Sequence, residues 1–123
     1  MTNSSTAVPA VALSPDWLAR IAQSLKIGAD RHGVTDADAA HEEMVAFHGP
    51  AEREGTAQVP VELAGRLLAA LSTTRDHVTR DDWRRMITEE AEHVARLLLD
   101  GYEETGQLSQ MLTDTCLRAT ARA

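Results

Sequence analysis

The chain has 123 residues, a formal net charge of −7 and a single cysteine, Cys116. That length predicts one domain, and one cysteine excludes an internal disulfide framework and any cysteine-built zinc site. The longest apolar stretch, residues 7–13, is broken by Pro9 and is far too short for a membrane span, with no basic residues before it as a secretory signal would have, so a cytoplasmic protein is expected.

The apolar content is 43 %, yet only Trp17, Phe47, Trp83 and Tyr102 are aromatic. The core must therefore come from the thirteen leucines, the twenty alanines and a few Val and Ile, and leucine and alanine favour helix. Charge is placed unevenly. Residues 28–56 hold seven acidic and two basic side chains, and residues 76–105 hold nine and four. Phosphate backbones and anionic membranes would be repelled from these two zones, and the eleven arginines form no run, so neither nucleic acid nor membrane is an expected partner. A basic protein surface would be attracted.

Residues 1–13 combine small polar residues with Pro9, show no helical period and predict a flexible arm; residues 14–123 predict the domain proper. Ser14-Pro15-Asp16 supplies a cap, a first-turn proline and an acid at the positive end of a helix dipole. Trp17, Leu18, Ile21 and Leu25 follow at helical spacing, with a stop near Gly28 or Gly33. A second helix is expected over 36–48, capped by Thr35 or Asp36 and closed by Gly49-Pro50, with Ala37, Ala40, Met44 and Val45 inward. Residues 49–60 read as a loop. A third helix is expected over 61–71, with Leu63, Ala64, Leu67, Leu68 and Leu71 on one stripe, followed by a polar turn over 72–78.

Thr79 and Asp82 have the spacing of a capping box and open a long helix over 80–105, whose stripe is Trp83, Ile87, Val94, Leu97 and Leu98. Gly101 could break it, and continuation is the favoured reading. A last helix over 107–119 carries Leu108, Met111, Leu112 and Cys116 on one face. The sum is an all-α, single-domain bundle of four to five short antiparallel helices.

All five histidines fall in the acidic zones. His41 and His48, seven residues apart, share a helix face with Met44 and should point inward together. Glu90 falls between Ile87 and Val94 on a buried stripe, where an isolated carboxylate must be paired, protonated, at an interface or bound to a cation. Glu90-Ala91-Glu92-His93 resembles the Glu-x-x-His element of ferritin-like di-iron carboxylate bundles over four residues. That resemblance implies iron or another divalent metal at Glu90 and His93, with a second Glu90 and His93 from a symmetric dimer completing the set, and His41 and His48 are the candidates for additional ligands. The alternative is ordinary helix-surface ion pairing by Glu89 or Glu92, with packed histidines and no cofactor.

Hydrolase elbows, phosphate-cradling glycine loops and dinucleotide fingerprints are absent from the sequence. The favoured function is a non-enzymatic interaction module or accessory subunit that binds a protein partner or itself. Its interface would be formed by Trp83, Ile87 and Val94, or by Leu108, Met111 and Leu112. A third reading is an acidic inhibitor that fills a nucleic-acid-binding groove in another protein.

Overall fold

The structure, a computed structural model, describes residues 9–103, 106 and 108–121. Residues 1–8 of the expected arm lie outside that set, but the arm's last four residues are ordered. Ala10–Leu13 form strand β1, which pairs antiparallel with β2, Ala57–Pro60, so that Val11 faces Val59 and Leu13 faces Ala57. Val11 and Leu13 are buried and Ala12 between them is exposed, the two-residue alternation of a half-covered strand. Four residues are too few for that period to stand out in a sequence beside Pro9.

Helix α1, Pro15–His32, begins as its sequence dictates: the Ser14 hydroxyl accepts the Trp17 amide at 3.3 Å. It ends at Gly33, whose φ of +65° suits only glycine well, and the Val34 amide returns to the Gly28 carbonyl at 3.0 Å. Gly28, the other expected stop, lies inside the helix.

The expected second helix is two helices. α2, Thr35–Met44, tightens into a 3-10 turn over Val45–Phe47, and α3, His48–Glu54, restarts from it. Neither Thr35 nor Asp36 caps α2, whose N-cap position is Val34 with no side-chain hydrogen bond. Gly49 and Pro50 fall in the first turn of α3, where amides have no intrahelical acceptor and a proline is admitted. They therefore open a helix instead of closing one, and the expected loop over 49–60 is largely α3 and β2. The offset at Met44 also turns Val45 outward, to 52 % exposure.

Helix α4, Val61–His77, absorbs the turn expected over 72–78, because buried Thr74 continues the Leu67 and Leu71 stripe. Helix α5, Asp81–Leu98, starts one residue later than expected, which leaves Thr79 too far out to cap it. The N-cap position is Arg80, with no side-chain cap, and Asp82 inside the first turn accepts the Trp83 amide at 2.9 Å. Gly101 does not break the chain: α5 widens into a π-helical turn over Leu99–Glu103. The expected end at Thr105 and restart at Gln107 lie outside the described residues. Helix α6, Gln110–Thr120, is capped by the Ser109 hydroxyl, which accepts the Leu112 amide at 3.1 Å.

The bundle is all-α apart from the β1–β2 ribbon. Helix α4 is its centre, packing against α1, α2, α5, α6 and both strands. One core joins residues from every helix and both strands. No helix among the described residues is long and apolar enough to cross a membrane.

Candidate functional site

Two places stand apart from this apolar interior: the seam between α1 and α5, and the outer face of α4.

The stripe of α1 at positions 17, 20, 24 and 31 has helical spacing and presents Trp17, Arg20, Ser24 and Arg31. Each meets a residue of α5. Trp17 stacks on His93 with ring centroids 4.0 Å apart and planes 9° from parallel. Arg20 reaches Glu89 at 3.1 Å and Glu90 at 3.6 Å, and its guanidinium also lies 4.5 Å from the centre of the Trp17 ring. Arg31 lies 5.3 Å from the centre of the Trp83 ring. Numbers rise along α1 as they fall along α5, so the two helices run antiparallel.

Glu90 is the anomaly of the seam. It is fully buried, as its position on the stripe predicted, and neither carboxylate oxygen has a hydrogen bond. Burial pushes its pKa from 4.5 up to about 7, with the Ser24 hydroxyl and the Arg20 charge opposing the rise. Ser24 faces the carboxylate without making a hydrogen bond in good geometry, so its own oxygen is also unsatisfied. Burial, and then the charge of Arg20, hold His93 below the ordinary histidine value.

The structure assembles no ligand set around the expected metal pair. Among the described residues no three His, Cys, Asp or Glu side chains come together as a metal site. The cation beside Glu90 is the Arg20 guanidinium, and His93 is engaged with an indole. His41 and His48 sit on different helices, separated by the 3-10 turn, so the seven-residue spacing no longer puts them on one face; both are half-buried. The histidines that do approach one another are His32 and His77, at the C-terminal ends of α1 and α4, with ring centroids 6.4 Å apart.

The first expected interface is mostly interior. Ile87 and Val94 are fully buried by this chain's own core, and Trp83 is half-buried and bracketed by Arg31 and Arg80. A helix stripe cannot say whether the surface that covers it belongs to the same chain. The second expected interface divides: Leu108 and Leu112 pack against the core, whereas Met111 is 79 % exposed.

Met111 stands on the rim of a trough of about 360 Å³ between α4 and α6, with Gly65 and Ala69 on the α4 side and Leu112 and Thr115 on the α6 side. The trough runs on in two directions. Arg66 and Ala69 also line a depression against Asp36, Ala39 and Glu43 of α2, and Ala69 and Thr115 line another that reaches Arg75 and Arg118. The outer face of α4 is thus a recess walled by α2 and α6 with Ala69 at its middle. Position 65 is small where α6 comes closest, since a Cβ there would meet a Leu112 methyl at 3.0 Å. The α2 wall carries exposed Asp36 and Glu43, and Glu43 forms a two-pronged ion pair with Arg66 at 2.7 and 3.1 Å.

Sequence reasoning missed Arg20, Trp17 and Ser24 as the partners of Glu90, and Gly65 and Ala69 as the floor of the recess. The seventeen–twenty–twenty-four spacing was available, but nothing local says that this stripe faces α5. No family model, curated protein or solved structure matches the chain.

Proposed function

We propose that this protein is a non-enzymatic interaction module whose docking surface is the recess over α4, and that its partner contributes an amphipathic helix with basic residues on one flank. The observation that carries this reading is the continuity of the three depressions through Ala69 between the walls of α2 and α6. A helix laid in such a recess would set apolar side chains over Gly65 and Ala69. Met111, unbranched and exposed on the rim, can adapt to the shape of an incoming side chain. The carboxylates on α2 favour Lys or Arg along that edge and would speed encounter at low salt.

The test uses a synthetic helical peptide with leucines on one face and lysines beside them, followed by fluorescence anisotropy. Binding is expected, weakening as salt rises from 50 to 500 mM as a ~10-fold or smaller effect, since only rim charges are screened. Ala69→Arg, which fills the floor, should abolish it, as should Met111→Glu in large part. Binding that survives Ala69→Arg, or no binding to this peptide at any salt, overturns the reading. A salt-independent dimer lost in Ala69→Arg, seen by sedimentation, would instead make a second copy the occupant and reject the basic partner.

A further inference from the structure

The contact between α1 and α5 differs in kind from the contacts that α4 makes. Around α4 the large buried residues are Leu63, Leu67, Leu68 and Leu71, which water cannot replace without a large penalty, and Thr74 is the one buried hydroxyl among them. Across the seam the facing groups are rings and ions: Trp17 on His93, Arg20 on Glu89 and Glu90, Arg31 on Trp83. Beyond the end of α5 the Tyr102 hydroxyl continues the line, accepting the Ala10 amide at 2.9 Å and donating to the Ala10 carbonyl. Exposed ion pairs and hydrogen bonds exchange for water at small net cost.

At the middle of this line Glu90 and Ser24 are worse off closed than open. Three of their oxygens are buried without hydrogen bonds, and water would satisfy all of them. The groups acting on Glu90 are Arg20 and Ser24 from α1 and Glu89 from its own helix; its ionic contact within 4 Å is Arg20, and that cation is shared with Glu89. Helices α4 and α6 hold α5 through apolar residues, including Ile87, Ala91, Val94 and Leu98.

We propose that the seam between α1 and α5 is a built-in opening line, along which α5 swings off α1 while staying packed on α4, with buried Glu90 setting how often it opens. The opening is a native-state fluctuation distinct from global unfolding.

The experiment places one thiol on each side of this distinction. Ser24→Cys reports the seam and Ala64→Cys, at a fully buried position of α4, reports the core. Labelling by a soluble thiol reagent is read peptide by peptide by mass spectrometry, so Cys116 can stay. The Ser24→Cys thiol is expected to label at least about 10-fold faster than the Ala64→Cys thiol, with a much shallower denaturant dependence. Adding Glu90→Leu should slow labelling at position 24 on the order of 10-fold or more, because the orphan carboxylate that opening hydrates is gone. Should Glu90→Leu fail to fold, Glu90→Met, an apolar and unbranched side chain of similar length, must slow it as well on the same background. Equal labelling of both thiols along a single steep denaturant dependence, or an unchanged rate at position 24 in a folded Glu90 variant, overturns the proposal.

Discussion

Arg20 divides one guanidinium between two carboxylates of different standing: Glu89, half in solvent at 3.1 Å, and Glu90, fully buried at 3.6 Å. The shorter contact goes to the residue that water already serves, so the buried one is left with an incomplete counter-charge and a raised pKa.

That arrangement fixes the sign of a pH dependence. The folded chain holds the Glu90 proton up to about pH 7, whereas the unfolded chain releases it near 4.5. The contribution of Glu90 to stability is therefore greatest below pH 4.5, falls between pH 4.5 and 7, and stays lost above pH 7, by about 3 kcal/mol at most. Urea denaturation at pH 5 and pH 8 should show the decline in the natural protein, and Glu90→Gln should remove most of it. A natural protein whose stability rises over that window through loss of the same mutant-sensitive component would contradict the burial of this carboxyl as the dominant effect.

Gly28 supplies a second test. A Cβ at that position would lie 2.3 Å from Thr74 Oγ1 and 2.8 Å from its Cγ2. Alanine is the better helix former by about 1 kcal/mol, yet Gly28→Ala is expected to destabilise by roughly 1–3 kcal/mol, because α1 must lift off α4. Combining it with Thr74→Ala removes the two nearest atoms, so the double variant should recover part of the loss in thermal denaturation. Simple additivity would show that the two positions do not touch.

Removing one oxygen tests the clasp on β1. Tyr102→Phe leaves the ring and deletes the hydroxyl that serves both the amide and the carbonyl of Ala10. A cost of about 1 kcal/mol is expected, together with faster hydrogen exchange at the Ala10 amide while the α4 amides keep their protection. Unaltered exchange at Ala10 would remove the clasp from the fold.

The expected interface residues separate by stability alone. Ile87→Ala should cost roughly 2–5 kcal/mol, as for any filled interior site. Met111→Ala, at an exposed position, should change stability by no more than about 0.5 kcal/mol. Chemical denaturation of the two variants decides which belongs to a surface.

The helical character, the start of α1 and the inward face of α5 were legible because each is written in the chain within a few residues of where it acts. Ser14 caps the amide of Trp17, and Glu90 lies between Ile87 and Val94, so its burial followed from period alone. What sits opposite Glu90 was not legible, since a period gives the face of a helix and not the neighbour it meets. The turn residues misled for a related reason: Gly49-Pro50 is compatible with either end of a helix, and only the packing of Met44 and Ala51 into the core decides for a new start. The same ambiguity hid the extension of α4, where Ser72 and Thr73 look like a turn until Thr74 is seen against Gly28.

The phenol that clasps β1 belongs to a residue 92 positions further along the chain. During synthesis the first strand is therefore made long before the group that finishes its outer edge, and closing so long a loop is entropically slow compared with forming α1 or α4. A nascent chain halted before Tyr102 would carry the ribbon with a backbone donor and acceptor at Ala10 still turned to water.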